Sequence, residues 1–165
     1  GTFCPVMRLH GDRSPREYLH RTDGSPLFPT GADNEIWSFG EENCATLTRY
    51  IRLREAMRPY LRRLMQETHE TGRPVMRPMF YEFPQDSACW DLNDQYMLGS
   101  DLLVAPVLYD HMDQRSVYLP AGSKWTLLHT GETFDGGQNV CVQAPLDIIP
   151  VFRRGDALPE LQGLL

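Results

Sequence analysis

The chain of 165 residues carries 22 acidic and 16 basic side chains, for a formal net charge of -6. Its 41% hydrophobic content is that of an ordinary globular protein and excludes disorder or low complexity as its main description. The acidic balance excludes a protein built to grip nucleic acid or an anionic membrane surface, and no run approaches the roughly 20 apolar residues of a membrane span.

Phe3 to Leu9 is a short apolar run, broken by Pro5, that reads as a strand. From Asp12 to Ala32 the chain is irregular, with Gly24, Pro26, Pro29 and Gly31 as breakers. A loop of about 20 residues is long for a compact domain, and such loops are usually functional or mobile. A long helix follows. Ser38 and Glu41 fit a capping box, and Leu47, Tyr50, Ile51, Met57, Tyr60, Leu61, Leu64 and Met65 recur at helical spacing. Pro59 should kink or split this helix, and Gly72 with Pro74 should stop it. Val75 to Phe83 reads as a buried strand of the α/β kind. Asp86 to Leu98 reads as a short helix or turn, closed by Gly99.

Beyond Gly99 the pattern changes. Leu102 to Leu108, Arg115 to Leu119, Trp125 to Leu128, Asn139 to Gln143 and Ile148 to Arg153 are short strand-like runs separated by turn clusters. They read as an antiparallel sandwich. The earlier strand-helix-strand half cannot cover both faces of a parallel sheet by itself, so it should belong to a larger barrel or sheet.

Individual side chains invite readings of their own. Cys4, Cys44, Cys89 and Cys141 lie too far apart for a zinc or redox motif, and are expected as free, mostly buried thiols. All the cations but Lys124 are arginines. Arg49, Arg52, Arg54, Arg58, Arg62 and Arg63 crowd one helix, but Glu55, Glu67 and Glu70 interleave with them. Solvated or salt-bridged helix faces are expected there, not a nucleic-acid surface. His69, His111 and His129 have no ligand-type neighbours, and Asp91, Asp94 and Asp101 read as turn and cap residues.

Several blocks carry a family resemblance. They are Arg8-Leu9-His10-Gly11, Met57-Arg58-Pro59-Tyr60-Leu61, Gly72-Arg73-Pro74-Val75-Met76-Arg77-Pro78 and Gln95-Tyr96-Met97-Leu98-Gly99. Leu102-Leu103-Val104-Ala105-Pro106-Val107, Val117-Tyr118-Leu119-Pro120-Ala121-Gly122 and Ile149-Pro150-Val151-Phe152-Arg153-Arg154-Gly155 follow in order. Together they resemble the C-terminal part of glycoside hydrolase family 31, the retaining α-glucosidases and α-xylosidases.

The resemblance implies an α/β plus all-β architecture. Residues 1–98 would be the end of a catalytic (β/α)8 TIM barrel, about its strands 7 and 8, and residues 99–165 the proximal antiparallel β-sandwich. Phe3 to His10 would be strand seven, Ser38 to Gly72 its helical segment, and Val75 to Phe83 strand eight. Retaining glycosidases need two carboxyl groups about 5–5.5 Å apart. In this family both are aspartates, and both positions precede residue 1. Asp12, Asp23, Asp33 and Glu35 match no catalytic motif of the family, so no catalytic residue is expected within the chain.

One residue carries over. His10 matches a histidine that hydrogen-bonds sugar hydroxyls in the family, and a neutral imidazole can both donate and accept. In the family pattern Arg8 and Arg77 are structural ion-pair residues. Trp37 and Phe39 are expected to staple the loop to the following helix. The implied partner is a small carbohydrate substrate, an α-glycoside. No metal, cofactor, nucleic acid or membrane is expected, and the oligomeric state is open. With Gly1 in place of a methionine, the chain reads as a fragment that is inactive alone. Its location is open, with the cytoplasm favoured. The alternative is a non-catalytic β-sandwich module for carbohydrate binding or interaction, although Tyr109, Tyr118 and Trp125 do not alternate on one strand.

Overall fold

Helical spacing of apolar residues produces two helices, α1 (Glu41–Ala56) and α2 (Arg58–Thr71). The computed structural model describes residues 1–9, 23–24, 35–156 and 158. Pro59 splits the helical stretch as expected. It falls in the first turn of α2, where its missing N–H costs nothing, and Met57 bridges the two helices. Gly72 closes α2 in the left-handed conformation, its N–H bonded to the Thr68 carbonyl at 2.9 Å.

The start of α1 corrects the capping-box expectation. Its N-cap is Gly40, and Ser38 lies in a preceding 3-10 turn (Ile36–Phe39). The Ser38 hydroxyl turns back to Glu35 Oε2 at 3.4 Å instead of reaching into the helix. Trp37 is 70% exposed and Phe39 is also exposed, so neither staples a loop.

Strands β1 (Met76–Pro78), β2 (Tyr96–Leu98), β3 (Leu102–Val104), β4 (Gln114–Leu119), β5 (Lys124–Leu127), β6 (Thr133–Asp135), β7 (Gln138–Gln143) and β8 (Val151–Arg154) form two sheets. One has six strands in the order β1-β2-β3-β8-β5-β6; the other pairs β4 with β7. Every pairing is antiparallel.

The central strands β2, β3 and β8 of the six-stranded sheet are buried on both faces. Leu98, Leu102, Val104 and Val151 pack with Tyr50, Leu53, Met57, Tyr60 and Leu64 of the helices. Their alternates Met97, Leu103 and Phe152 pack with Val117, Leu119, Val140 and Val142 of the β4–β7 pair. Successive residues of a strand point to opposite faces. With helices on one side and a second sheet on the other, both sets are apolar, which is why these strands are continuous apolar runs.

Two predicted strands are corrected. Phe3 to Leu9 contains turns and bends, not a strand. The carbonyls of Phe3, Cys4 and Pro5 are taken by side chains, as described below, instead of by a ladder. The Val75–Phe83 run forms only the three-residue β1 and then a helical turn, α3 (Met79–Glu82). Pro78 cannot donate to a ladder, and the Phe83 N–H returns to the Met79 carbonyl at 2.9 Å. Met79 and Phe83, four apart, are accordingly both buried. No parallel barrel strand occurs among the described residues.

Asp86 to Leu98 holds a 3-10 turn (Ser87–Cys89), capped by the Asp86 side chain, and then β2. The sheet therefore contains strands from both sides of Gly99, so a division at 98/99 does not coincide with a sheet boundary. The sandwich strands after Gly99 form within a few residues of their expected places, with β6 in addition.

Candidate functional site

The predicted substrate contact, His10, lies outside the described residues, as do Asp12 and Asp33. The structure does describe the segment leading to it. Arg54 of α1 donates from Nη1 to the carbonyls of Thr2, at 3.0 Å, and Cys4, and from Nη2 to that of Pro5 at 2.8 Å. The Tyr96 hydroxyl of β2 donates to the Phe3 carbonyl between them at 3.0 Å. Four consecutive carbonyls are thus satisfied by two side chains, where a strand would use a neighbour's amides.

Burial raises the Tyr96 phenol well above its ordinary range, with Cys4 adding to the shift, so it stays a donor. Burial also lowers the Arg54 guanidinium from its usual value. At any ordinary pH it remains charged, because arginine starts so high. Arg54 follows Tyr50 by one helical turn and flanks the buried stripe of Leu53, Met57 and Leu61. An arginine beside the apolar stripe was the sequence signal for this role.

A second polar cluster centres on Arg77. Arg77 is 2% exposed and bonds Glu82 at 2.9 Å and Glu67 at 3.0 Å. Its Nε donates to the Pro74 carbonyl at 2.9 Å. Burial works against this charge, but the bonds to Glu82 and Glu67 outweigh it and raise the Arg77 pKa. Glu82 also meets Arg154 of β8 at 3.5 Å. The structural ion-pair role expected for Arg77 is present; Arg8 is exposed.

The remaining candidates are held in place locally. Asp94 lies in a bend and Asp101 in a turn, as expected, and their side chains also pair with Arg115 at 2.8 Å and Arg63 at 2.9 Å. Arg49 reaches Asp147, and Arg58 pairs with Glu55, which accounts for part of the arginine-rich helix face. Trp125 is fully buried and its Nε1 donates to Pro120 at 2.9 Å, which removes it from any exposed aromatic row. All four cysteines are free, with Cys89 buried and Cys141 exposed. Among the described residues no group of three or more His, Cys, Asp or Glu side chains is arranged to hold a metal ion.

The described residues thus form an antiparallel sheet packed between helices on one side and a second sheet on the other, with a buried arginine neutralised by two glutamates. The sequence model of the glycosyl hydrolase family 31 C-terminal domain matches residues 72–158. The chain belongs to glycosyl hydrolase family 31.

Its relatives agree. An α-xylosidase of Saccharolobus solfataricus is 35% identical over 162 residues, covering 98% of this chain and 20% of that protein. α-Glucosidase 2 of Bacillus thermoamyloliquefaciens is 40% identical over 125 residues, 75% of this chain and 16% of that protein. The crystal structure of a family 31 α-xylosidase from a soil metagenome, complexed with xylose, superposes with a TM-score of 0.87 at 48% identity. It covers 99% of this chain, which covers 24% of that structure. The chain spans about a fifth of the length of the curated relatives it matches.

Proposed function

We propose that this chain is the C-terminal portion of a retaining α-glycosidase of the α-glucosidase or α-xylosidase type, acting on terminal α-linked sugars. The observation that carries the reading is the match to the xylose-bound α-xylosidase over 99% of the chain. In this reading the nucleophile and acid/base aspartates belong to polypeptide preceding residue 1. One aspartate attacks the anomeric carbon, and the other protonates the leaving oxygen and then activates water.

His10 supplies a hydrogen bond to the sugar. The run from Thr2 to Pro5, fixed by Arg54 and Tyr96, carries the chain toward it. The residues before β1 close the end of the barrel, and the sandwich braces it. The carboxylates of Glu67 and Glu82 are committed to Arg77, which fits a part that supports chemistry instead of performing it.

The test is an assay with 4-nitrophenyl α-xyloside and α-glucoside. The 165-residue chain alone is expected to give no turnover. A polypeptide joining it to the remaining four-fifths typical of its relatives is expected to be active, with His10→Ala raising KM. Turnover by the chain alone, abolished by replacing one of its own carboxylates, would overturn the proposal.

A further inference from the structure

We propose that the outer face of the β4–β7 pair, with the cavity at its Tyr118 end, binds a neutral oligosaccharide. The register pairs Gln114 with Gln143, Ser116 with Cys141 and Tyr118 with Asn139. Their alternates Val117, Leu119, Val140 and Val142 fill the core, so these six side chains lie on the outer face, with Tyr118 half-buried against the edge of the core. None carries a charge, although 23% of the chain is Asp, Glu, Lys or Arg. A sheet face that had only to stay soluble would ordinarily carry charged side chains.

This face suits one class of ligand. Each of Gln114, Asn139 and Gln143 places a donor and an acceptor side by side on a flat amide, which matches two neighbouring hydroxyls of a pyranose. A protein partner would call for an apolar centre, and Tyr118 is the one large ring on the face. An ionic ligand would meet no opposite charge among the six.

The cavity extends the same chemistry. It has a volume of about 680 Å³ and is lined in part by Pro84, Ser87, Tyr118, Gly122 and Gly137. Gly137 immediately precedes β7, so the cavity adjoins the Tyr118–Asn139 pair. Its two acids, Glu82 and Asp86, already have partners. Asp86 accepts from the Tyr118 hydroxyl at 2.8 Å and the Ala88 amide at 3.2 Å, and Glu82 is held by Arg77. The bond to Asp86 fixes the Tyr118 ring as a platform on which a sugar can stack. Gly122 and Gly137 leave the approach open.

The choice of a glycan among neutral hydroxylated ligands rests on the function proposed above. The surface itself uses no catalytic residue, so binding is read without turnover and the two proposals fail separately. The isotope-labelled 165-residue chain is titrated with maltoheptaose into the millimolar range and followed by amide NMR shifts. Saturable shifts are expected at Ser116, Tyr118, Gly137 and Asn139. The double variant Asn139→Asp/Gln143→Glu, altered only on the outer face, should weaken binding by about tenfold or more at an unchanged melting temperature.

Absence of saturable shifts would overturn the proposal. So would shifts centred on the exposed Phe80–Trp90 stack, or equal affinity of the double variant. A dependence of the same amides on protein concentration without sugar would assign the face to a second copy of the chain and overturn it as well.

Discussion

Arg77 and Glu82 stand on opposite sides of the break at Pro78, and their side chains meet across it at 2.9 Å. The bond ties β1 to α3, and through Glu82 and Arg154 it reaches β8. Through Glu67 the same guanidinium ties in α2. Arg77→Met should destabilise the fold by roughly 3 kcal/mol, the low end for stripping one partner from a buried pair, because the two glutamates keep some solvent. Urea unfolding measures it. A change under about 0.5 kcal/mol, the range of ordinary surface substitutions, would show that the cluster contributes little.

Gly99 sits at φ 63°, and a Cβ there would lie 2.6 Å from Leu64 Cδ2 and 2.7 Å from the Tyr60 hydroxyl. That hydroxyl is buried and donates to the Leu98 carbonyl at 2.7 Å. Gly99→Ala therefore combines left-handed strain with a displaced hydrogen bond, and should cost about 2–4 kcal/mol. Tyr60→Phe, which removes only the bond, should cost about 1–2 kcal/mol. Thermal unfolding of both variants gives the order, and a Gly99→Ala protein as stable as wild type would refute the packing argument.

Arg54→Gln should release the carbonyls of Thr2, Cys4 and Pro5 while leaving the sandwich intact. Hydrogen exchange is expected to quicken from Phe3 to Arg8 and to stay slow at Leu103 and Trp125. Arg54→Lys should rescue only part of the protection, since an ammonium lacks the planar fork that reaches several acceptors at once. Full protection in Arg54→Gln would place the hold on this segment elsewhere.

Acid should weaken the protein partly through His129. Burial lowers its pKa, and its Nδ1 is buried with no hydrogen-bond partner among the described residues. The unfolded chain, with an imidazole near the ordinary value of about 6.5, takes up the proton first as pH falls. The stability from this group is present above that value and is lost as pH drops through it toward the lowered folded value. His129→Gln should flatten the fall in melting temperature between neutral pH and the acid side of that window. An identical pH profile in the variant would clear His129 of the effect.

The parts of the fold legible in sequence were those whose cause is local. Pro59 and Gly72 act through their own backbones, so the helix break and stop could be read in advance. The strands β4 and β7 alternate because one face meets solvent, and each falls within one residue of the run the sequence indicates. The errors arose where a partner distant in sequence decides. Phe3 to Leu9 is apolar enough for a strand, but Arg54 and Tyr96 capture the carbonyls of Phe3, Cys4 and Pro5. Val75 to Phe83 reads as one run because Arg77 is silent about its partners, and the i to i+4 pair Met79 and Phe83 was hidden inside it. Trp125 falls in a strand-like run, but only the packing of the second sheet shows it fully buried. The histidine proposed to touch substrate was reached only by resemblance, since an imidazole after an apolar run has no physical mark of its own.

The doubly buried sheet behaves like a wall between two rooms. Leu102 and Val104 furnish the room shared with the helices, and Leu103 furnishes the room shared with the second sheet. Shifting the wall by one residue would exchange the furniture of both. A sandwich transplanted between relatives without its helices would arrive with one side of that wall bare. The smallest transferable piece of this architecture is therefore α1 through β8 taken whole, and chimaeras cut at Gly99 should fail where those cut ahead of Glu41 succeed.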